Sequence, residues 1–204
     1  MHIPVKVAIV FCSNDHVHAD FCASLVVMCS YSQHKKIPFG VINPKSSVIE
    51  VGRNNGVAAA KQLEYTHLLF LDSDVVFPPN TLERLLSHDK PIVGASYCQR
   101  RPPFKLTHTE LEGNACTLDG SVREVKRLPT GCMLIRRDVL DAVEARSADI
   151  PAFYVPWIQK RAISEDNAFC DTARSLGHSC WLDTELTRQL KHLGTYAYSV
   201  DDVK

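Results

Sequence analysis

The stretch His67-Leu68-Leu69-Phe70-Leu71-Asp72-Ser73-Asp74-Val75-Val76-Phe77-Pro78-Pro79 decides the fold of this chain. Its apolar start, residues 67–71, predicts a short strand buried on both faces, as in a parallel sheet covered by helices. Asp72 and Asp74 follow at the carboxyl end, where ligands of open α/β sheets bind. Two neighbouring acids repel each other, so the pair favours a divalent cation, which prefers carboxylate oxygen. The competing interpretation is an aspartate-rich turn that leads into the next helix.

Strands and helices alternate through the first 95 residues. Apolar runs predict the strands, and apolar residues at helical spacing predict the segments between them. This alternation is the pattern of a parallel sheet with crossover helices. The predicted strands are residues 5–12, 38–42, 68–71 and 91–95, and the predicted helices are residues 20–31, 48–65 and 79–88.

The sequence after residue 95 has a different pattern. Residues 97–105 form a basic loop that contains prolines, and residues 106–127 predict short antiparallel strands with a turn at Asp119-Gly120. A helix at 164–176 is predicted to end before Gly177. The remaining predicted elements are strands at 132–135 and 179–182 and a helix at 137–146.

Length and composition are those of an ordinary globular chain. The 204 residues are 45% hydrophobic, and 23 basic residues balance 23 acidic ones, so bulk charge gives no attraction to nucleic acid or to anionic membranes. No segment reaches the ~20 apolar residues of a membrane span, and the amino terminus does not read as a signal peptide. No two of the eight cysteines are spaced as C-x-x-C, which argues against a structural zinc site. Most of them lie in apolar runs, so we predict reduced thiols and a cytoplasmic protein.

Several familiar binding motifs are absent from the sequence. It contains no G-x-G-x-x-G after the first strand, no P-loop and no G-x-S-x-G elbow. Glu165 and Asp166 open a predicted helix, where the helix dipole stabilises acidic side chains. A carboxylate at such a junction can also act as a general base. His192 is either a structural histidine or a metal ligand.

Taken in order, these segments resemble the GT-A glycosyltransferases of the broad family-2-like superfamily. The resemblance extends from Val5 to about Gly194. The segments that carry it are Arg53-Asn54, Asp72-Ser73-Asp74, Val93-Gly94-Ala95-Ser96-Tyr97, Thr130-Gly131-Cys132-Met133-Leu134-Ile135-Arg136-Arg137, Glu165-Asp166 and His192-Leu193-Gly194.

The resemblance implies one domain over residues 1–204, a three-layer αβα sandwich with a mostly parallel central sheet and a small antiparallel part. It implies a nucleotide-sugar-binding half at 1–97 and an acceptor-side half at 98–204. It also implies an enzyme that moves a sugar from a UDP- or GDP-sugar to an acceptor hydroxyl, by an inverting reaction. The acceptor stays open among a glycan, a lipid-linked sugar, a protein and a modified DNA base.

The same resemblance assigns roles to single residues. Asp74 and His192 would ligate Mn²⁺ or Mg²⁺, and Asp72 would hold the ribose or a metal-bound water. Asp166, with Glu165 as the alternative, would be the general base. The nucleotide sugar would contact Asp72, Ser73, Arg53, Asn54 and, by position alone, Ser13. The sugar and acceptor pocket would comprise Thr130, Gly131, Trp157, Arg100 and Arg101.

Two other functions are compatible with the same residues. Asp72-Ser73-Asp74-Val75-Val76 fits the nucleophile motif of haloacid-dehalogenase-type phosphatases, although that family has the motif near the amino terminus. The chain could also be a non-catalytic protein that binds nucleotide sugars. Release of phosphate from an aryl phosphate favours the first, and donor binding without turnover favours the second.

Overall fold

The computed structural model describes residues 4–100 and 102–194. Its strands are β1 Val7–Cys12, β2 Phe39–Ile42, β3 His67–Asp72, β4 Val75–Val76, β5 Ile92–Gly94, β6 Val122–Val125, β7 Cys132–Arg136, β8 Trp157–Ile158, β9 Arg161–Ala162, β10 Cys180–Asp183 and β11 Lys191–His192. Its helices are α1 Ala19–His34, α2 Ile49–Gln62, α3 Thr81–Ser87, α4 Arg137–Ala145, α5 Glu165–Ser175 and α6 Thr184–Gln189.

A seven-stranded sheet in the order β2-β1-β3-β7-β5-β10-β6 forms the centre of the molecule. Strands β2, β1, β3, β5 and β10 run in one direction. Strand β7 is antiparallel to both of its neighbours, β3 and β5, and β6 is antiparallel at one edge. The predicted mostly parallel α/β sheet is therefore confirmed, with one reversed strand near its middle.

Helices cover both faces of the sheet, and β3 contributes to both cores. Leu68 and Phe70 pack against one hydrophobic cluster, whereas Leu69 and Leu71 pack against the other, as the two-residue period of a strand requires. Helices α2, α4 and α5 contribute buried residues to the first cluster, and α1, α3 and α6 contribute to the second. The arrangement has the three αβα layers that were expected.

The prediction of several short strands over residues 106–127 is wrong. The structure has the strand β6 there, with isolated bridges that join Cys98 to Leu106 and Thr109 to Arg127. The Arg123 side chain donates hydrogen bonds to the carbonyls of Ala115 and Thr117. Side-chain hydrogen bonds thus satisfy carbonyls that a strand ladder would otherwise use.

Short elements near the carboxyl terminus were not predicted. They are the β8–β9 hairpin, α6, and β11, which pairs with the equally short β4. Within residues 4–100 and 102–194, no helix is both long and apolar enough to cross a membrane. The eight cysteines are free thiols, in agreement with the prediction of reduced cysteines.

Candidate functional site

Asp72 and Asp74 lie at the carboxyl edge of β3, next to an open cavity of about 520 Å³. Strand β1 ends beside them, because Cys12 is the register partner of Asp72. Ser13 and Ser73, both predicted to contact a nucleotide sugar, line the cavity. The cavity is also lined by Cys12, Asn14, Asp15, His16 and Ser46.

Asp72 is held by two side chains from different elements. Nη2 of Arg53, on α2, lies 3.0 Å from Oδ1 of Asp72. The hydroxyl of Tyr97 donates to Oδ2 at 3.1 Å. Burial and the nearby Asp72 raise the pKa of Tyr97 well above its ordinary value, so the phenol stays protonated as the donor. Both oxygens of Asp72 therefore have fixed partners.

Arg53 connects Asp72 to the start of α5. Its side chain is 5% exposed, and its Nη1 forms an ion pair with Glu165. Burial disfavours the charged guanidinium, but Asp72 and Glu165 outweigh this effect, and the pKa of Arg53 is raised. Burial also raises the pKa of Glu165, against the opposing effect of Arg53. Arg53 is thus placed to orient two carboxylates from the protein interior.

Gly131 allows Asp72 and Tyr97 to meet. A Cβ atom at this position would lie 2.3 Å from the Tyr97 hydroxyl and 2.6 Å from Oδ2 of Asp72. The carbonyl of Gly131 also accepts a hydrogen bond from the Asp72 N–H at 3.0 Å. The neighbouring Thr130 is 1% exposed, and its hydroxyl has no hydrogen-bond partner among the described residues. Of the predicted sugar and acceptor pocket, Gly131 therefore lies against the first aspartate, with Thr130 next to it in the chain.

Asp74 forms a second group with His192 and Arg100. Oδ2 of Asp74 lies 3.5 Å from Nε2 of His192 and 2.8 Å from Nη1 of Arg100. Nδ1 of His192 lies 2.8 Å from the Cys98 carbonyl, the geometry of a donated N–H, which directs Nε2 toward the carboxylate. Burial acts to raise the pKa of Asp74, but His192 and Arg100 outweigh it and lower that pKa.

Backbone pairing brings His192 to this position. Strand β11 pairs antiparallel with β4, so that His192 faces Val75. The Leu193 N–H donates to the Asp74 carbonyl at 2.7 Å. Gly194 then allows Arg100 to pass, since a Cβ there would lie 2.5 Å from Cδ of Arg100. The structure brings together Asp74, His192 and Arg100, all of which the sequence had singled out.

The two acids that open α5 have different surroundings. Glu165 is engaged by Arg53, whereas Oδ1 of Asp166 accepts from the Ser164 hydroxyl at 2.5 Å and from the Asn167 N–H at 2.7 Å. Within the described residues, the other oxygen of Asp166 accepts no hydrogen bond. That oxygen is available to take a proton.

Two predicted site residues lie away from both aspartates, and a third is not described. Both amide atoms of Asn54 are bonded to the backbone of Phe153, at 2.7 and 3.0 Å, so Asn54 fixes the chain ahead of the β8–β9 hairpin. Trp157 is 73% exposed on β8 of that hairpin, close in sequence to α5. Arg101 lies outside the described residues.

No individual role was predicted for Tyr97. In the structure its hydroxyl holds Asp72, and its ring packs edge-on to that of His192, with the centroids 4.7 Å apart. Tyr97 therefore contacts one residue from each of the two groups. Its position just after β5, at the same edge of the sheet, is the one signal that could have identified it.

A comparison with protein-family models finds no match, and a comparison with curated proteins finds none either. Solved structures do share the fold. A197 from STIV is 15% identical and superposes with a TM-score of 0.57, over 98% of this chain and 100% of that chain. The catalytic domain of Drosophila beta1,4galactosyltransferase 7, in complex with xylobiose, is 12% identical, with a TM-score of 0.55 over 94% of this chain and 71% of that chain.

Two further structures extend the comparison. A mutant of the Drosophila enzyme in complex with manganese, UDP-Gal and xylobiose is 10% identical, with a TM-score of 0.53 over 97% of this chain and 78% of that chain. A glycosyltransferase involved in glycosylation of the major capsid of PBCV-1 is 12% identical, with a TM-score of 0.51 over 94% of each chain. At these identities the shared property is the fold, which is the fold of known glycosyltransferases.

Proposed function

We propose that this chain is a metal-dependent glycosyltransferase that transfers a sugar from a nucleotide-sugar donor to an acceptor hydroxyl with inversion. The observation that carries the proposal is the placement of Asp72 and of the Asp74–His192 pair at the carboxyl end of β3, beside a cavity lined by Ser13 and Ser73. Several solved proteins with the same fold are glycosyltransferases, and the structure of one holds manganese and UDP-Gal.

The side chains near Asp74 fit a divalent cation. Asp74 offers carboxylate oxygen, and His192 offers a ring nitrogen whose opposite atom, Nδ1, is fixed by the Cys98 carbonyl. Arg100 contributes positive charge beside the carboxylate, which supports the assignment of a cation to this position. Mn²⁺ or Mg²⁺ held by Asp74 and His192 would stabilise the negative charge that develops on the departing nucleoside diphosphate.

The other residues bind and orient. Arg53 and Tyr97 fix the carboxylate of Asp72, which we assign to the donor ribose. Ser13 and Ser73 line the cavity assigned to the nucleoside, and Thr130 and Gly131 lie next to Asp72 on the side assigned to the sugar. The exposed Trp157 on the hairpin close to α5 is assigned to the acceptor.

Asp166 carries the proton transfer in this proposal. Its free oxygen takes the proton of the acceptor hydroxyl while the acceptor oxygen bonds to the anomeric carbon. The bond between that carbon and the diphosphate breaks, and the nucleoside diphosphate leaves with the bonding electrons. Because attack and departure occur on opposite sides of the carbon, the anomeric configuration inverts.

A thermal-shift screen of UDP- and GDP-sugars with and without Mn²⁺ tests the proposal. A donor that binds only the folded state raises the melting temperature. At a hundredfold excess over its Kd it increases the free energy of unfolding by about 2.7 kcal/mol. We expect a shift that requires both donor and Mn²⁺, followed by release of nucleoside diphosphate when an acceptor is supplied. Donor binding without turnover against any acceptor would favour a binding protein, and the absence of any Mn²⁺-dependent shift would reject the proposal.

A further inference from the structure

Three side chains with potential metal-ligand atoms lie together in the segment between β5 and β6. His108, Glu110 and Cys116 each point a ligand atom toward the same space, and these atoms all lie within 4.8 Å of one another. Nε2 of His108 is 3.0 Å from Oε1 of Glu110 and 3.7 Å from Sγ of Cys116. None of these residues belongs to the group around Asp72 and Asp74.

The distances match those between ligands of a tetrahedral zinc ion. With Zn–S near 2.3 Å and Zn–N near 2.05 Å, tetrahedral geometry separates sulfur from nitrogen by about 3.5 Å, and oxygen from nitrogen by about 3.3 Å. The observed 3.7 Å and 3.0 Å differ from these values by a few tenths of an ångström. A small adjustment of the Cys116 and Glu110 side chains would therefore admit the ion.

The environment of His108 supports a ligand role. Its side chain is 2% exposed, and Nδ1 has no hydrogen-bond partner among the described residues. The polar contacts of this buried ring are thus made within the cluster itself, through Nε2. Nε2 is therefore the ring nitrogen that faces the carboxylate and the thiol, and a metal ion bound there would lie between the three ligand atoms.

Arg123 orients the carboxylate. Its Nη2 lies 2.9 Å from Oε2 of Glu110, which leaves Oε1 directed at His108. The same guanidinium donates to the carbonyls of Ala115 and Thr117, on either side of Cys116, and so fixes the position of the thiol. Such contacts behind the ligands are a regular part of metal sites.

We infer that His108, Glu110 and Cys116 form a zinc site that is separate from the site at Asp74. The chemistry of the ligands selects the ion, because thiolate and imidazole suit Zn²⁺, whereas Mg²⁺ and Mn²⁺ prefer oxygen. Cys116 binds as the thiolate, and its proton is released to solvent. Three protein ligands leave the fourth tetrahedral position to water.

The site would stabilise the segment that contacts both aspartates. The backbone N–H of His108 donates to the hydroxyl of Ser96 at 3.1 Å, and Thr107 donates to the Tyr97 carbonyl at 3.0 Å. Tyr97 contacts Asp72, and Arg100, three residues further on, contacts Asp74. A metal ion that fixes residues 108–116 would therefore restrict the chain that carries these two side chains.

Metal titration of the full chain, freed of metal with a chelator, tests this inference. Cobalt serves as the spectroscopic probe, because a thiolate ligand gives a charge-transfer absorption that oxygen and nitrogen ligands do not. We expect one bound equivalent of Co²⁺ to give that absorption, in addition to any ion held by Asp74 and His192. Cys116→Ser and His108→Gln should each weaken Zn²⁺ binding by more than about 100-fold. This loss is larger than the loss typical when the replaced residue only hydrogen-bonds to a metal ligand.

Two variants are matched controls. Cys98→Ser removes another exposed thiol, and Asp74→Asn removes the other candidate metal site. Both should retain the Co²⁺ absorption and the Zn²⁺ affinity of the unmodified chain. Since Cys116 is exposed, its replacement by serine preserves folding, which circular dichroism verifies. Unchanged Zn²⁺ affinity in Cys116→Ser, or equal loss in Cys98→Ser, would overturn the inference.

Discussion

Nε2 of His192 lies 3.5 Å from Oδ2 of Asp74, although the two residues belong to opposite halves of the sequence. The pairing of β11 with β4 creates this proximity, because β4 begins directly after Asp74. The Cys98 carbonyl fixes the other ring nitrogen. An imidazole with one nitrogen fixed and the other directed at a carboxylate is well arranged for metal coordination.

Replacing either residue should weaken manganese binding. We expect Asp74→Asn and His192→Gln each to lower Mn²⁺ affinity by more than about tenfold, because each removes one ligand from the same ion. The measurement is calorimetric titration of Mn²⁺ without donor. His88→Gln is the matched control, because His88 also contacts an aspartate, Asp183, away from this site. Equal Mn²⁺ affinity in all four proteins would contradict the assignment.

Arg100→Ala should strengthen manganese binding. The guanidinium lies 2.8 Å from Oδ2 of Asp74, so a bound cation would meet a positive charge close to its own ligand. Two like charges about 4 Å apart cost about 1 kcal/mol in water, and Arg100 is half-exposed, so we expect an affinity gain of about three- to tenfold.

Lys105→Ala is the control for this charge effect, since Lys105 belongs to the same basic loop. Its removal should change Mn²⁺ affinity by less than about twofold, because solvent and salt screen an exposed charge. If Arg100→Ala instead weakened Mn²⁺ binding, Arg100 would have to support the metal site in another way. The titration is repeated at high salt, where the gain should become smaller.

Local patterns predicted the strands and helices of the sheet but not the short elements that complete the site. The run from Leu68 to Leu71 is apolar on both faces, and this property alone indicates a buried strand that ends at Asp72. By contrast, β4 and β11 are two residues each, too short to show a period. They form because they pair with each other, which no local window of sequence contains.

Side-chain partners were harder to predict than residue identities. Asp72, Asp74 and His192 could be selected by type and position, but the role of Tyr97 depends on packing across the sheet edge. Asn54 shows the opposite case, because its position in a motif suggested a nucleotide contact. In the structure its amide is bonded to the Phe153 backbone. Such side-chain hydrogen bonds depend on tertiary contacts between segments that are distant in the sequence.

Asp183→Ala should destabilise the fold. Its side chain is fully buried, pairs with Arg84 and accepts from the Leu186 N–H as the cap of α6. We expect the free energy of unfolding to fall by about 3 kcal/mol. This is the lower end of the cost of breaking a buried ion pair, because Arg84 keeps contact with water. Urea unfolding measures it. Asp171→Ala, which breaks the more exposed pair with Arg127, should cost about 0–1 kcal/mol.

The contribution of Asp183 should also depend on pH. Burial acts to raise the pKa of Asp183, but Arg84, the Leu186 N–H and His88 outweigh it, so the pKa in the folded state is lowered. The stabilisation is therefore complete above the unfolded pKa of about 3.9 and is lost as pH falls through the folded value. The difference in unfolding free energy between wild type and Asp183→Ala should be constant above about pH 5 and should shrink as the pH falls below about 4. A constant difference would show that the interaction does not require the ionised carboxylate.

Asp166→Asn tests the proposed chemistry most directly. A sugar hydroxyl is a poor nucleophile near neutral pH, and a carboxylate that removes its proton typically contributes 10²–10⁴-fold in rate, so kcat should fall by about that factor. Mn²⁺-dependent donor binding should persist, because Asp166 contacts neither Asp72 nor Asp74 in the described structure. Asparagine keeps the oxygen that accepts from Ser164 and Asn167, so α5 should remain folded.

Two variants on the same helix separate catalysis from structure. Asp171→Asn changes an acid that pairs with Arg127, and it should leave kcat within about twofold, as surface changes usually do. Glu165→Gln weakens the ion pair with Arg53, which also holds Asp72, so we expect it to raise KM for the donor more than it lowers kcat. If Asp166→Asn kept a near-normal kcat while Glu165→Gln lost activity, the base would be Glu165. Burial raises the pKa of Glu165, which makes its carboxylate a better proton acceptor. Product of retained anomeric configuration would rule out either carboxylate as the base of a single inverting displacement.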